Sequence, residues 1–448
     1  MNKTKLVLAI AALAGAGFAG ATWYTGTTLD NKVMQAGDAL KDYKMIKVVK
    51  RDFKKGFWAS TEEVTYQLGC EDGGEASPLR GATGQITLIN TIQHNPFGME
   101  INTKLVYSDK TKAELAKVFK GKEPLEINTK VSLSGDLQTR ISSPEFTIDD
   151  EKGKVNWKGF NSLIKYDKTA SYIDFDVSLP GVIARENASA TQFNIGSVSY
   201  KGSYKNAVEG IYAGAESLKI DGFGMTGKKE EKEMQVSMGQ LLMNSESKFS
   251  NGLLNFSGKG TADKITFNSK EIGKFEMNLD VNQLDPKALK GLNDLTWKKG
   301  ILQCNFDNKD HAKAIQALLM DVLKKNPSLK QNIKLHTPEG ESVVAIDLAS
   351  KDLKPEDLAN PGLLINKINA MLALQLPNAF AERMIRESAE EEAIEPTLAM
   401  FQSSVQLGVD EGKIESDGKL LKTKIQLKDG KIVLNGKTVE LSELLGIQ

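Results

Sequence analysis

From about Phe57 to Val281 apolar and polar residues alternate with a period of two. In the stretch from Ile127 to Leu133, Ile127, Thr129, Val131 and Leu133 fall on one side while Asn128, Lys130 and Ser132 fall on the other. The same division recurs with Ile173, Phe175, Val177 and Leu179 against Asp174, Asp176 and Ser178, and with Phe275, Met277, Leu279 and Val281 against Glu276, Asn278 and Asp280. Clean alternation of this kind predicts antiparallel strands with one dry and one wet face. Turn signals at Asp150-Glu151-Lys152-Gly153, Gly202-Ser203, Asn251-Gly252 and Asp429-Gly430 predict hairpins between them.

A helical period takes over in the last third. Ala312, Ile315, Leu318, Leu319, Val322 and Leu323 keep helical spacing, and Lys324-Lys325-Asn326-Pro327 supplies a stop. A second helix is expected to start after Pro377 and to run past Glu390-Glu391-Glu392 toward Gln402, with a kink at Pro396. A short helix is expected from Thr111 to Phe119, and the alternation from Ile368 to Leu376 reads as a strand. The segments Met277 to Leu289 and Ile346 to Leu358 share a pattern, a strand followed by Leu-x-Pro-x-x-Leu, which duplication or coincidence would explain equally. The expected fold class is α+β and mostly β: an elongated, strongly curved antiparallel sheet, helices concentrated in the C-terminal third, and a single N-terminal membrane helix. Along the chain this gives a signal anchor at 1–25, a stalk at 26–56, a β-rich region at 57–282 and a mixed region at 283–448. Few helices are available to cover the dry faces, so the sheet must close on itself, be covered by the C-terminal helices, or present an apolar trough.

The N-terminus has the plan of an export signal. Lys3 and Lys5 precede an uncharged stretch from Leu6 to Tyr24, about the minimum for a helix crossing ~30 Å of hydrocarbon. Trp23 and Tyr24 stand where interfacial rings belong, and Ala12, Ala16 and Gly20 form a small-residue stripe suited to close approach of two helices. The expectation is a retained anchor in the bacterial inner membrane, a periplasmic body and a homodimer. The alternative is cleavage after Ala21 to release a soluble periplasmic protein.

Charge and cysteine content narrow the classes. The 58 basic and 58 acidic residues cancel, so no global field favours nucleic acid. The basic stretch Lys41, Lys44, Lys47, Lys50, Arg51, Lys54 and Lys55 reads as a solvated strand face rather than a headgroup contact. Cys70 and Cys304 exclude a disulfide-stapled scaffold and a thiolate zinc cluster; two unpaired buried thiols are the commoner reading, one long-range disulfide the alternative.

Catalytic chemistry is sparse. His94, His311 and His336 form no ligand-spaced pair, so no metal or cofactor is expected. The stretch from Gly222 to Lys228 has phosphate-loop spacing, but Lys229 stands where Ser or Thr must hold magnesium, and a hairpin turn is the expectation. The acidic run from Glu387 to Glu395 reads as a solvated helix face. His94, in the turn motif His94, Asn95, Pro96 and Phe97, is the best single residue for proton chemistry, as general base or pH sensor; the competing reading is a surface histidine against Pro96 or Phe97.

The anchor ending in Trp23-Tyr24-Thr25-Gly26, the His94 to Phe97 motif, the stretch from Gly121 to Asp136 and the tail from Asp429 to Gly446 together resemble the YdgA-like bacterial envelope proteins, a family of unknown function also termed domain of unknown function 945. At Asn95 this chain departs from the glycine usual in the family. The resemblance implies an inner-membrane-anchored protein with a periplasmic body and no established reaction. The expected function is therefore non-enzymatic: a binding or structural module whose dry face, with Ile173, Phe175, Val177, Phe275 and Met277 as contact candidates, meets lipid or another hydrophobic envelope component. A homodimeric protein scaffold and an envelope hydrolase using His94 are the alternatives.

Overall fold

A computed structural model describes residues 43–440, apart from 57–58, 71–83, 96–97, 133, 190, 209, 230–231, 306–308, 359–362 and 364. Trp23, Tyr24 and the stripe Ala12, Ala16 and Gly20 lie outside these residues. No described helix is long and apolar enough to cross a membrane. The fold is mostly β, and the strand pairings are antiparallel, as the alternation predicts.

The chain forms two compact units that interleave along the sequence. The first comprises residues 1–221 and 286–318, the second 222–285 and 319–448. The expected stretches 57–282 and 283–448 are divisions along the chain, and the units cut across them.

The first unit carries β1 (Ile46–Lys54), β2 (Ala59–Leu68), β3 (Gly84–Asn95), β4 (Gly98–Val106), β5 (Glu126–Ser132), β6 (Asp136–Ser143), β7 (Phe146–Asp150), β8 (Gly153–Trp157), β9 (Phe160–Asp167), β10 (Tyr172–Leu179), β11 (Val182–Glu186), β12 (Gln192–Ile195), β13 (Val198–Val208) and β14 (Ile211–Ile220). Pairing runs β1-β2-β3-β4-β5-β6-β9-β10-β13-β14, while β7-β8-β11-β12 form a side ladder. Four strand-to-strand passages join the two ladders, and each contains a residue that interrupts regular pairing: Pro144, Gly159, Pro180 or Gly196. Gly159 has φ +94, and the Lys158 N–H donates to the Gly181 carbonyl at 3.1 Å, tying two passages together.

Helix α1 (Asp109–Phe119) starts where Ser108 accepts the Thr111 N–H at 3.3 Å and ends at left-handed Lys120. Its Leu115 and Phe119 pack with Phe146 and Ile148 of the side ladder, burying the apolar stripe that the helical spacing predicts. A second cluster, Leu137, Ile164 and Tyr166, lies on the main ladder with Val131, Ile173 and Phe175 against it.

The returning segment of this unit holds α2 (Pro286–Asn293), a π-helical turn at Asp294–Gly300 and a 3-10 turn at Ile301–Gln303. Cys304 follows and is disulfide-bonded to Cys70. The reading of two free thiols is thereby corrected. The two cysteines are 234 residues apart in sequence and 5.6 Å apart between Cα atoms, so only the tertiary path reveals the pairing. The Met45 N–H donates to the Leu302 carbonyl at 3.1 Å beside the bridge, and the Gly69 N–H to the Met45 carbonyl at 2.9 Å.

The second unit carries β15 (Phe223–Lys229), β16 (Lys232–Met238), β17 (Leu241–Ser250), β18 (Leu253–Phe267), β19 (Lys270–Leu284), β20 (Ser328–Thr337), β21 (Gly340–Ser350), β22 (Ile368–Pro377), β23 (Glu415–Ser416), β24 (Leu420–Lys428), β25 (Lys431–Leu434) and β26 (Lys437–Val439). β18 pairs over its first ten residues with β17 and at its end with β16, and the ladder then runs β19-β20-β21-β22-β24-β25-β26. Of the phosphate-loop spacing, Phe223 to Lys228 lie in strand β15 rather than in a turn, with Thr226 opposite Gln235.

The helix α3 (Lys309–Leu323) occupies the segment whose periodicity predicts it. The shared pattern of Met277 to Leu289 and Ile346 to Leu358 is also a shared shape. Gln283 and Asp352 occupy equivalent places and both have positive φ, 63° and 50°, and the proline of each Leu-x-Pro, Pro286 and Pro355, opens α2 and α4 (Pro355–Leu358). β20 lies between the two strands of the pattern.

The expected helix after Pro377 is two helices, α5 (Asn378–Ser388) and α6 (Ile394–Asp410). The break falls at extended Ala389, and Pro396 sits in the first turn of α6, where a missing N–H removes no helical hydrogen bond. Glu387 is not a solvated acid: its side chain is nearly covered, 3.3 Å from Lys270 and 3.6 Å from Arg383. Arg383 also pairs with Glu339 at 2.8 Å and lies over the Phe380 ring, fastening α5 to the second unit.

Candidate functional site

Directly opposed residues in an antiparallel pair share a face. In the first unit the register aligns Val131, Leu137, Tyr166, Ile173 and Tyr204 across five strands, and Phe175 with Ile164 and Gly202. The candidates Ile173, Phe175 and Val177 therefore lie together on the dry face, and all are half-buried.

Gly202 lies inside β13 and not in the hairpin expected at Gly202-Ser203. The physical reason is its neighbour. A side chain at 202 would stand 2.7 Å from Cε1 and 2.9 Å from Cε2 of Phe175, so the missing Cβ lets that ring lie across the strand. Tyr200 and Tyr204 flank it, with ring centroids 4.7 and 6.0 Å from Phe175. Both tyrosine hydroxyls donate to Glu216 Oε2, the one from Tyr204 at 2.7 Å. Burial, and then the hydrogen bond to this carboxylate, raises both phenols well above their ordinary range.

In the second unit Phe275 and Met277 share a face with Leu335 and Ile333 of β20, and with Ala262 and Gly260 of β18. Their candidate roles fall on one continuous apolar surface that includes Val344, Ile346, Leu372 and Leu374. This surface is incompletely covered: Met243 is 38% exposed, Leu348 44% and Leu374 38%. Burial of apolar surface is the main driving force of folding, so exposed residues aligned by register on one face are more informative than scattered ones.

The opposite face is polar. His336 lies there between Glu276 and Glu341, with nitrogen-to-oxygen distances of 3.4 and 3.3 Å, and Lys334 pairs with Glu341 at 3.1 Å. Sequence spacing does not reveal this group, because its members come from β19, β20 and β21. His94 lies in β3 opposite Met99, one residue from the strand end, and Asn95 pairs with Gly98. Pro96 and Phe97, and the side chains of His94 and Asn95, lie outside the described residues. Among the described residues no group of three or more His, Cys, Asp or Glu side chains is placed to hold a metal ion.

Three members of the basic stretch are paired, two of them across to β2 and one within β1. Lys50 meets Glu63 at 2.7 Å, Arg51 meets Glu62 at 2.6 Å, and Lys54 meets Asp52 at 3.5 Å. Such exposed pairs stabilise little.

Residues 1–442 match the family described as "Bacterial protein of unknown function (DUF945)". The chain belongs to this family. It is similar to Protein YdgA of Escherichia coli (strain K12), at 21% identity with 100% of this chain and 97% of the relative covered. It is also similar to an uncharacterized protein of Haemophilus influenzae, at 22% identity with 65% of this chain and 85% of the relative covered. No solved structure matches. The family assignment accords with the resemblance carried by the sequence motifs, and the names of the relatives assign no reaction.

Proposed function

We propose that this DUF945 protein is a non-enzymatic module of the bacterial cell envelope that binds lipid or another hydrophobic envelope component. It is held in the inner membrane by residues 1–25 and has its body in the periplasm. One observation carries the binding reading: the second unit aligns apolar residues over several strands and leaves Met243, Leu348 and Leu374 more than a third exposed. A carboxylate would be costly on a closed core face, whereas an apolar face bordering a replaceable ligand needs no such closure. The Cys70–Cys304 disulfide supports the periplasmic placement, since such bonds persist in oxidising compartments.

The test is purification of the full-length chain from membranes in mild detergent, followed by mass spectrometry of the extracted lipids and of the intact protein. A stoichiometric lipid and an uncleaved N-terminus are expected. A lipid-free homodimer would replace this reading with the protein-scaffold one, and a chain starting at Thr22 would overturn the anchor.

A further inference from the structure

The polar face of the first unit carries a row of residues directly opposed across five strands: Glu100 of β4, Lys130 of β5, Gln138 of β6, Lys165 of β9 and Asp174 of β10. A cavity of about 480 Å³ takes in four of them, Glu100, Lys130, Gln138 and Lys165, with Asp136 and Tyr172.

Charged residues of this unit commonly neutralise one another. Lys201 and Asp176 stand directly opposite and pair at 2.9 Å, Lys104 reaches Glu123 at 3.3 Å, and Lys154 reaches Asp149 at 2.8 Å. The two lysines of the cavity depart from this pattern. Lys130 stands opposite Glu100 and Lys165 opposite Asp174, yet among the described residues neither ammonium has an ion-pair or hydrogen-bond partner.

The acids around the cavity draw their donors from elsewhere. Glu100 accepts from the Asn128 amide at 2.6 Å, and Asp136 accepts from the Ser134 hydroxyl at 2.6 Å. Asp167, opposite Asp136, accepts from the Thr169 hydroxyl at 2.9 Å and from the Ser171 N–H at 2.6 Å. Desolvation, and then Asp136, Asp167 and Asp174, raises the Tyr172 phenol above its ordinary value, so negative charge gathers at the Tyr172 end. Positive charge gathers around Gln138, which lies between the two lysines and whose amide is also unbonded among the described residues.

Two uncompensated ammonium groups flanking a neutral amide call for a ligand with matching negative charge and several acceptor oxygens. A phosphate monoester carries about −1.5 to −2 charge at pH 7 and three strong acceptor oxygens. A carboxylate brings a single charge, and a neutral sugar none.

We infer that the cavity around Gln138 is a binding site for a phosphate group, held by Lys130 and Lys165 from either side of the Gln138 amide. The site lies on the polar face of the first unit and stands whether or not the apolar face of the second unit binds lipid. A soluble phosphate and a lipid phosphate share the chemistry it recognises.

The test is lysine footprinting of the full-length protein in mild detergent. The protein is treated briefly with an amine-acylating reagent and each lysine is quantified by mass spectrometry, with sodium chloride at equal ionic strength as control. Inorganic phosphate at about ten times its dissociation constant leaves about one site in ten free, so acylation of Lys130 and Lys165 should slow about tenfold, with Lys104 and Lys201 unchanged. Lys130→Gln with Lys165→Gln should abolish phosphate binding in calorimetry, and Lys201→Gln should leave it unchanged. Mixed micelles holding phosphatidic acid or phosphatidylcholine separate the sources. Protection by phosphatidic acid alone assigns a lipid phosphate, and protection by inorganic phosphate assigns a soluble one. Uniform slowing at every exposed lysine would be bulk screening and would overturn the site, as would unchanged acylation with both probes.

Discussion

The two units use a glycine on the dry face in opposite ways. At Gly202 the space left by the missing side chain is taken by the rigid ring of Phe175, held between Tyr200 and Tyr204 and backed by Leu137, Ile164 and Tyr166. At Gly260 the corresponding space is taken by two methionines, one of them well exposed. An aromatic ring with two torsions and several packed neighbours is held in one place; two unbranched thioethers, one of them partly exposed, can repack. The same backbone device therefore yields a locked surface in one unit and an adaptable one in the other.

The strongest challenge to this contrast is removal of the clamp on the first unit. Cys70→Ser with Cys304→Ser should cost about 2–5 kcal/mol, since a long loop is released in the unfolded chain. Hydrogen exchange should then show lost protection at the ends of β1 and β2 and over residues 286–305, with β18 to β22 unchanged. Equal loss in both units would mean that they do not differ in how they are fastened.

Next in size is the glycine comparison itself. Gly202→Val should destabilise by about 2–3 kcal/mol, because the Phe175 ring must leave its packed position. Gly260→Ala should change stability by less than about 1 kcal/mol, having only ordinary contacts to meet. Chemical denaturation of both variants gives the difference directly, and similar midpoints would remove the distinction.

Truncating the fillers probes the same point from the other side. Phe175→Ala should cost about 3 kcal/mol and Met243→Ala under about 1 kcal/mol, in proportion to how completely each is enclosed. Thermal melts of the two variants should order them in that way.

The smallest effect concerns pH. Tyr200 and Tyr204 have folded-state values above their unfolded value near 10.0, through burial and then the hydrogen bond to Glu216. Their contribution to stability is complete below about pH 10 and is lost as pH rises above it toward the folded-state values. Glu216→Gln should move the alkaline absorbance titration of these phenols to lower pH. A titration unchanged by the substitution would detach the carboxylate from the ring cluster.

Local patterns carried much of the fold. Alternation located the strands around 127–133, 173–179 and 275–281, and Asn251-Gly252 and Asp429-Gly430 form hairpin turns with positive φ at each residue, as the sequence predicts. Where reasoning from the chain failed, the cause was a partner distant in sequence. Gly202-Ser203 has the composition of a turn, but the glycine answers to Phe175 on the next strand. The Cys70–Cys304 bond, the covered Glu387 and the His336 group likewise depend on residues that only the tertiary path brings near. Of the candidate site, Phe275 and Met277 were legible from alternation. The packing of Met243 and Met277 against Gly260 was not, because it depends on three neighbouring strands.

The interleaving of the units bears on the order in which the protein is made. The first unit is interrupted after Asp221 and is completed only when the segment beginning at Pro286 arrives. At about 5–20 residues per second, Cys70 emerges roughly 10–50 s before its partner. During that interval the nascent chain offers one thiol and no second one to pair with. An error of pairing within the chain is thus impossible, and any mispairing must be made with another molecule.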